Sequence, residues 1–349
     1  MRSNDVVSLS EETLVEGCRL FFNRFHLSFQ LATHSVPFTS AGLSVLAKTD
    51  DKLIRQLIKN GHTRTSKSTS DLNILHICGA ENEHMLTPHW TARNFEERRI
   101  ETALHDKAYR FHFYDQLDFW QFYDRNRGLA IQYSPNLGQT TPWENGSPLR
   151  NFIHWHLLEK GSGLVHAGTL GRQENGILLC GAGGSGKSGT VLSGLMHGLQ
   201  SVGDDYVAVH LGQTVTASCA FQTLKIDASG ANRASMPSSL LSGRPLNWQN
   251  KHLVRLNEIA PGQPESMRLH AIVQPQISHA ARTTFQHINA KEAFLSLAPT
   301  GVSQIPGARP EMVRICAELT RKLPAYKMSL GADPVEISDS INTFIESIQ

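Results

Sequence analysis

The stretch Gly-Ile-Leu-Leu-Cys-Gly-Ala-Gly-Gly-Ser-Gly-Lys-Ser-Gly-Thr at residues 176–190 decides the fold. Its apolar start predicts a β-strand, and Gly181 to Ser188 then match the pattern G-x-x-x-x-G-K-S. Glycines at this spacing let the backbone form a concavity whose N–H groups face phosphate oxygens, and the next helix adds partial positive charge at its N-terminus. A glycine-rich turn that binds nothing is the alternative. The strand before the loop and the helical pattern after it favour a phosphate-binding loop in an α/β protein.

This loop predicts a bound nucleotide and a metal ion. Lys187 would reach the β- and γ-phosphates, and the Ser188 hydroxyl would bind Mg²⁺. The predicted nucleotide-binding residues are Gly181, Gly183, Gly184, Ser185, Gly186, Lys187, Ser188 and Gly189.

Two adjacent carboxylates follow the loop. An apolar helical stripe ends near Gly198, Leu199 to Gly203 predicts a short strand, and Asp204 and Asp205 come next. Beside a triphosphate, one carboxylate can bind Mg²⁺ and the other can accept a proton from an attacking hydroxyl. The alternative is a polar cap on a turn, and the preceding loop favours the catalytic pair.

A β-hairpin is predicted immediately before the loop. Leu164 to Leu170 reads as one strand, Arg172 to Asn175 as a polar turn, and Gly176 to Cys180 as the returning strand. His166 would then lie on a strand beside the phosphate site. A single histidine on a strand is more often structural than catalytic.

Three motifs in this order resemble the catalytic core of the HPr kinase/phosphorylase family: His166-Ala167, the loop Gly184 to Ser188, and Gly203 to Tyr206. The chain is more closely similar to the HPr-kinase-like serine kinases found beside bacterial peptide biosynthesis genes, including lasso-peptide precursor kinases. Looser similarity before and after these motifs extends the resemblance to about residues 145–349.

The resemblance implies a role for each matching residue. Asp204 would be the general base that takes the proton of the acceptor hydroxyl, and His166 would orient it. Asp205 and Ser188 would hold Mg²⁺, and Lys187 with the loop amides would hold the phosphates. These roles make Asp204, His166 and Lys187 the predicted catalytic residues.

Two features depart from authentic HPr kinases. Their downstream acidic signature loop is not found, and the first 140 residues do not resemble their sensor domain. The resemblance therefore does not extend to HPr as the substrate or to reverse phosphorolysis. Lys225 occupies a position where relatives have a lysine, and either contact with phosphate or simple solvation would explain it.

Composition indicates an ordinary enzyme of 349 residues, with 40% hydrophobic and 18% charged residues. A net charge of +2, with basic residues scattered along the chain, gives no reason to expect nucleic acid or a membrane as a partner. The five cysteines are far apart and form no C-x-x-C pair, which is typical of a reduced, cytoplasmic protein. An oligomer is compatible with the sequence.

The first 140 residues predict a smaller α+β domain that could dock the acceptor. Leu14 to Phe25 predicts a helix and Leu27 to Leu31 a strand. Further strands are predicted at 72–78, 109–114, 119–123 and 129–133, and Ser134 to Ser147 reads as the linker to the catalytic domain, 145–349. A polar loop predicted at Ala228 to Pro245 could close over the substrate, with Arg233 or Arg244 supplying positive charge.

Together these features predict an α/β P-loop, HPr-kinase-like core that transfers the γ-phosphate of ATP, with Mg²⁺, to a hydroxyl. The acceptor expected is a serine of a peptide or protein. A kinase of a small hydroxylated metabolite is the first alternative. An ATP-dependent switch, or an ATPase that drives a partner, is the second.

Overall fold

The computed structural model describes residues 11–79, 108–302 and 304–349. Parts of the predicted N-terminal domain, residues 1–10 and 80–107, lie outside the described residues. The described chain is a mixed α/β structure with two large sheets, a small two-stranded sheet and helices. The α-helices are Glu11–Asn23, Phe25–Leu31, Lys52–Gly61, Arg150–Leu158, Lys187–Met196, Ala228–Arg233, Leu256–Ile259, Ala290–Gly301, Arg309–Lys322 and Pro334–Ile348.

The first sheet has the strand order β3-β1-β2-β4-β7-β6-β5. Strands β2, β4 and β7 run parallel, and β5, β6 and β7 form an antiparallel meander. The strand bounds are β1 His34–Ser40, β2 Leu43–Thr49, β3 Thr63–Arg64, β4 Leu72–Cys78, β5 Tyr109–Tyr114, β6 Phe119–Asp124 and β7 Leu129–Ser134. The predicted strands over 72–78, 109–114, 119–123 and 129–133 are therefore present.

The second sheet contains the glycine-rich loop. Its main path is β16-β17-β15-β12-β11-β8, with β10 joined to β15 and β9 joined to β10, and β13 pairs separately with β14. The strand bounds are β8 Ser162–Val165, β9 Gly168–Arg172, β10 Asn175–Leu179, β11 Val207–Leu211, β12 Val215–Ser218, β13 Thr223–Ile226, β14 His252–Arg255, β15 Ser266–Ala280, β16 Thr284–Ile288 and β17 Ala325–Gly331. Strand β10 runs parallel to β15, and the glycine-rich loop begins just after β10 ends at Leu179.

The helix Arg150–Leu158 connects the two sheets. All nine of its residues are buried, so it has no solvent-facing side. Its Phe152 and Trp155 belong to an apolar cluster that includes Tyr123 of the first sheet and Leu164 of the second. The two sheets therefore share a continuous core.

Several predicted elements differ from the structure. Leu27 to Leu31 is helical, because Phe25 and Ser28 are buried at a helical spacing and Phe25 stacks on Phe29 with ring centroids 5.0 Å apart. The predicted strand Leu164 to Leu170 divides into β8 and β9 at His166-Ala167, because β8 pairs with β11 and β9 pairs with β10.

Leu199 to Gly203 is likewise not a strand. A single β-bridge joins Gln200 to Gly171. The hydroxyls of Thr169 and Ser201 hydrogen-bond to each other, and each also donates to the Gly203 carbonyl. The segment is thus held by a few backbone hydrogen bonds to Gly171 and Thr169 and by these side-chain hydrogen bonds, without a continuous β-ladder.

The two predicted loops contain more structure than expected. The predicted linker Ser134 to Ser147 contains a 3₁₀ turn at Pro142–Glu144, and Glu144 is buried. The predicted loop Ala228 to Pro245 begins with the helix Ala228–Arg233, which is capped by the Asp227 side chain, and contains a 3₁₀ turn at Ser238–Leu240.

Candidate active site

The glycine-rich loop connects β10 to the helix Lys187–Met196, as the sequence predicts for this stretch. Gly181, Gly184 and Gly186 have φ angles of 143°, 81° and 105°, a region that side-chain-bearing residues rarely adopt. At Gly186 a Cβ atom would also lie 2.8 Å from Leu330 Cδ1. The positive φ angles and this close contact explain why glycine occupies the turn into the helix.

Lys187 is buried and turned back onto the loop. Its Nζ donates to the carbonyl oxygens of Gly181 at 2.7 Å and Ala182 at 3.1 Å. Burial lowers the pKa of this ammonium, and the nearby Asp204 carboxylate opposes that effect. Its present partners are neutral carbonyls, so an incoming anion can replace them and form a stronger, charge-assisted bond.

Asp204 is a buried carboxylate without a well-formed hydrogen bond on either oxygen. Burial and the negative charge of Asp205 raise its pKa, while the Ser188 hydroxyl, His166 and Lys187 act in the opposite direction. Gly168 makes room for this carboxylate, since a Cβ there would lie 3.1 Å from Asp204 Oδ1. A buried acceptor with a raised pKa is suited to receive a proton.

Asp205 has the opposite environment. Its Oδ1 lies 3.0 Å from His166 Nε2, and its Oδ2 accepts a 2.6 Å hydrogen bond from Lys225 Nζ. Burial would raise the pKa of Asp205, but the His166 hydrogen bond and the Lys225 ammonium outweigh it and hold that pKa well below its usual range. Asp205 is therefore a stable anion.

His166 lies beside the carboxylate pair, but its hydrogen bond goes to Asp205 and not to Asp204. Its Nδ1 is buried and has no hydrogen-bond partner among the described residues. Its ring also lies 5.5 Å from the ring of Tyr206. The sequence analysis assigns His166 to Asp204, whereas the hydrogen bond in the structure goes to Asp205.

A cleft of about 670 Å³ brings these residues together. The predicted site residues on its wall are His166, Gly183, Gly184, Gly186, Lys187, Ser188, Gly189, Asp204 and Asp205. Two predicted residues do not line it: Gly181 contributes a carbonyl to Lys187, and the Ser185 hydroxyl is buried without a partner in the described part of the chain.

The cleft is also lined by residues that the sequence analysis did not assign to the site. His112 and Tyr114 come from β5, Trp143 from the predicted linker, and Arg150 from the start of the buried helix. The available signal was Arg150 itself, a cation at the start of the otherwise uncharged helix Arg-Asn-Phe-Ile-His-Trp-His-Leu-Leu.

The structure also separates the two candidate arginines of the predicted loop. Arg233 lines the cleft. Arg244 instead donates to the Leu253 carbonyl and to Glu258, at 3.1 and 3.0 Å. Lys225, for which two explanations were open, lines the cleft and pairs with Asp205, so simple solvation does not describe it.

No protein-family model matches the chain, and no curated protein matches it. Among solved structures, the chain is similar to the Hpr(Ser) kinase/phosphatase from Coxiella burnetii, with 12% sequence identity and a TM-score of 0.30. The alignment covers 53% of this chain and 94% of that one.

Within 11–79, 108–302 and 304–349, no helix has the length and apolar character to cross a membrane. The same ranges contain no group of three His, Cys, Asp or Glu side chains placed to hold a metal ion.

Proposed function

We propose that this protein is an ATP- and Mg²⁺-dependent kinase that transfers the γ-phosphoryl group to a hydroxyl, the acceptor being a serine of a peptide or protein. One observation carries the proposal. The Asp204 carboxylate, buried and without a well-formed hydrogen bond, lines the same cleft as the glycine-rich loop, Lys187 and Ser188.

The loop and the helix behind it would bind the phosphates. The helix Lys187–Met196 directs its N-terminal N–H groups and the positive end of its dipole at the loop. Lys187 would leave the Gly181 and Ala182 carbonyls and bind the β- and γ-phosphates, in keeping with the role of this lysine in such loops.

Asp204 would act as the general base. As the acceptor oxygen forms its bond to the γ-phosphorus, the bond from that phosphorus to the β–γ bridging oxygen breaks and ADP leaves. Asp204 takes the hydroxyl proton in this step. Its raised pKa favours proton uptake, and its burial excludes competing water.

Mg²⁺ fits the oxygen donors available. Magnesium is usually bound by one or two carboxylates together with substrate phosphates, so a cluster of three protein ligands is not required. Ser188 and Asp205 would hold it, and Asp205 is kept ionised by His166 and Lys225. When bound, the metal would neutralise charge on the phosphates.

The experiment is phosphoryl transfer from ATP labelled on the γ-phosphate, with serine-containing peptides and with small hydroxylated metabolites as acceptors. Asp204→Asn should keep ATP affinity within about threefold and lower turnover by roughly 10²–10⁴-fold, the usual contribution of a general base. Lys187→Ala should weaken ATP binding itself.

The control is Asp339→Asn, which removes an exposed carboxylate on the last helix. Full activity in Asp204→Asn would contradict the assignment of the base. Firm ATP binding with no transfer to any acceptor would replace the kinase with an ATP-dependent switch, and label on a metabolite would change the acceptor class.

A further inference from the structure

Arg150 is a buried guanidinium on the wall of the cleft. The residue is 6% exposed and lies at the start of the helix Arg150–Leu158. Its guanidinium carbon lies 4.7 Å from the ring centroid of Tyr206 and 5.6 Å from that of Trp143. The two aromatic rings provide favourable cation–π contacts.

The hydrogen bonds of Arg150 leave part of its donor capacity unused. It donates to the Tyr206 hydroxyl at 3.0 Å and to the Gln304 carbonyl at 3.3 Å. Its Nε is buried without a partner in the described part of the chain. A guanidinium carries five N–H donors, so these two bonds do not satisfy it.

No carboxylate among the described residues forms an ion pair with Arg150. The salt bridges in the described part of the chain involve other arginines and lysines. Its positive charge instead acts on nearby side chains. Burial has the larger effect and the charge of Arg150 the smaller, and together they lower the pKa of His112 to about 3. That charge also acts on Glu144, but the Glu144 carboxylate accepts a 2.6 Å hydrogen bond from the Leu149 N–H and not from Arg150. An uncompensated buried cation is costly to folding, so a site that retains one is expected to pair it with an anion from outside.

The position of Arg150 relates that anion to the carboxylate pair. The Tyr206 hydroxyl that Arg150 bonds belongs to the residue after Asp205, and it in turn donates to Gln304 Oε1 at 2.6 Å. The guanidinium is therefore held one tyrosine side chain away from the acidic pair, on the wall formed with His112, Tyr114 and Trp143.

We propose that Arg150 binds a negatively charged group of the acceptor, a carboxylate or a phosphate, beside the hydroxyl that receives the phosphoryl group. This inference rests on the proposed kinase function. It narrows the acceptor class to hydroxyl compounds or peptides that carry an anion near the reacting oxygen.

The test is calorimetric titration of the full chain, first with a non-hydrolysable ATP analogue and Mg²⁺, then with inorganic phosphate or acetate once the loop is filled. At least one anion should bind the filled protein. Its affinity should fall about tenfold or more in Arg150→Gln, the scale expected for loss of a charge-assisted contact, while affinity for the analogue stays within about threefold.

Two further variants serve as controls. Arg150→Lys keeps the positive charge but lacks the planar set of donors, so its affinity for the anion should be intermediate. This variant also tests the proposal if Arg150→Gln fails to fold. Arg268→Gln removes an exposed arginine of β15 and should leave both affinities unchanged.

Three results would overturn the proposal: no anion binding to the filled wild-type protein, equal anion affinity in wild type and both Arg150 variants, or a tenfold loss of analogue affinity alone. The last would assign Arg150 to the nucleotide. If the analogue does not bind at all, the kinase proposal itself fails. The anion titrations are then made on Lys187→Ala, with and without Arg150→Gln. A lower anion affinity in the double variant would support the role of Arg150, and equal affinities would contradict it.

Discussion

At the residue scale, two neighbouring aspartates have opposite electrostatic environments. Asp205 is stabilised as an anion by His166 and Lys225, whereas Asp204 is buried without a well-formed hydrogen bond. The pKa of Asp205 is lowered and that of Asp204 is raised. Carboxylates whose pKa values are pushed apart in this way are suited to different roles in one reaction.

Asp204→Asn should raise the free energy of unfolding at neutral pH. Because the folded-state pKa of Asp204 is raised, the folded protein binds this proton more tightly than the unfolded chain does. The carboxylate therefore costs no stability below its unfolded pKa of about 3.9, and the cost develops as pH rises from there through the folded pKa. Urea unfolding across pH should show a gain in the variant that disappears in acid. A gain that persists unchanged in acid would contradict this origin.

Lys225→Gln should destabilise the fold by about 1.5–3 kcal/mol, because it removes the 2.6 Å charge-assisted hydrogen bond to the partly buried Asp205 carboxylate. Lys160→Gln is the matched control, since it breaks the exposed 3.4 Å pair with Asp71 and should cost only about 0.2–1 kcal/mol. Urea unfolding measures both. Equal losses would show that the Asp205–Lys225 pair behaves as a surface pair.

At the element scale, the glycine-rich loop owes its shape to backbone conformation. It joins a fully paired strand, β10, to the helix Lys187–Met196, and its path requires left-handed backbone at several glycines. The positive φ values shape the loop, and Lys187 donates hydrogen bonds to two of its carbonyls.

Gly186→Ala should lower the free energy of unfolding by about 1–3 kcal/mol, the cost of a side-chain-bearing residue in this backbone region. Its φ of 105° causes the strain, and Leu330 crowds the added methyl group. Gly183→Ala is the control, because its Cβ would meet no atom within 4 Å and its φ is not positive. That change should leave stability unchanged or raise it by up to about 1 kcal/mol. Thermal unfolding of the free protein distinguishes them, and equal effects would remove backbone strain as the cause.

At the scale of the whole molecule, the two large sheets are joined through one buried helix. Trp155 of that helix packs with ring centroids 6.3 Å from Tyr123 of the first sheet, and its Nε1 donates to the Pro306 carbonyl at 2.8 Å. His62 makes a second link, since its ring nitrogens lie 3.1 Å from the carbonyls of Pro148 and Ala220. Trp155 and His62 thus link the first sheet to segments around the second through buried contacts.

Trp155→Phe and Trp155→Ala should therefore weaken both sheets together. The alanine variant should lose about 3–5 kcal/mol, the usual cost of removing a buried tryptophan, and the phenylalanine variant less. Hydrogen exchange should show reduced protection in β4 and β7 and in β10 and β15. Loss confined to one sheet would show that the two sheets unfold independently.

The sequence determined the local elements whose residues carry their own conformational preference. The hairpin turn at Arg172 to Asn175, the loop with its following helix, and the aromatic strands β5, β6 and β7 all appear where the sequence predicts them. Alternating side chains, turn residues and glycine spacing act over a few residues, so a single sequence is enough to read them.

The tertiary structure alone decided which neighbours those elements meet. It made Leu27 to Leu31 a helix, divided the strand at His166, and gave His166 and Lys225 to Asp205 while leaving Asp204 without a well-formed hydrogen bond. It also placed Arg150 and Trp143, from the helix and turn between the sheets, on the same cleft as the loop. Pairings of this kind depend on long-range packing and on which charges become buried together, and neither leaves a periodic signal in the chain.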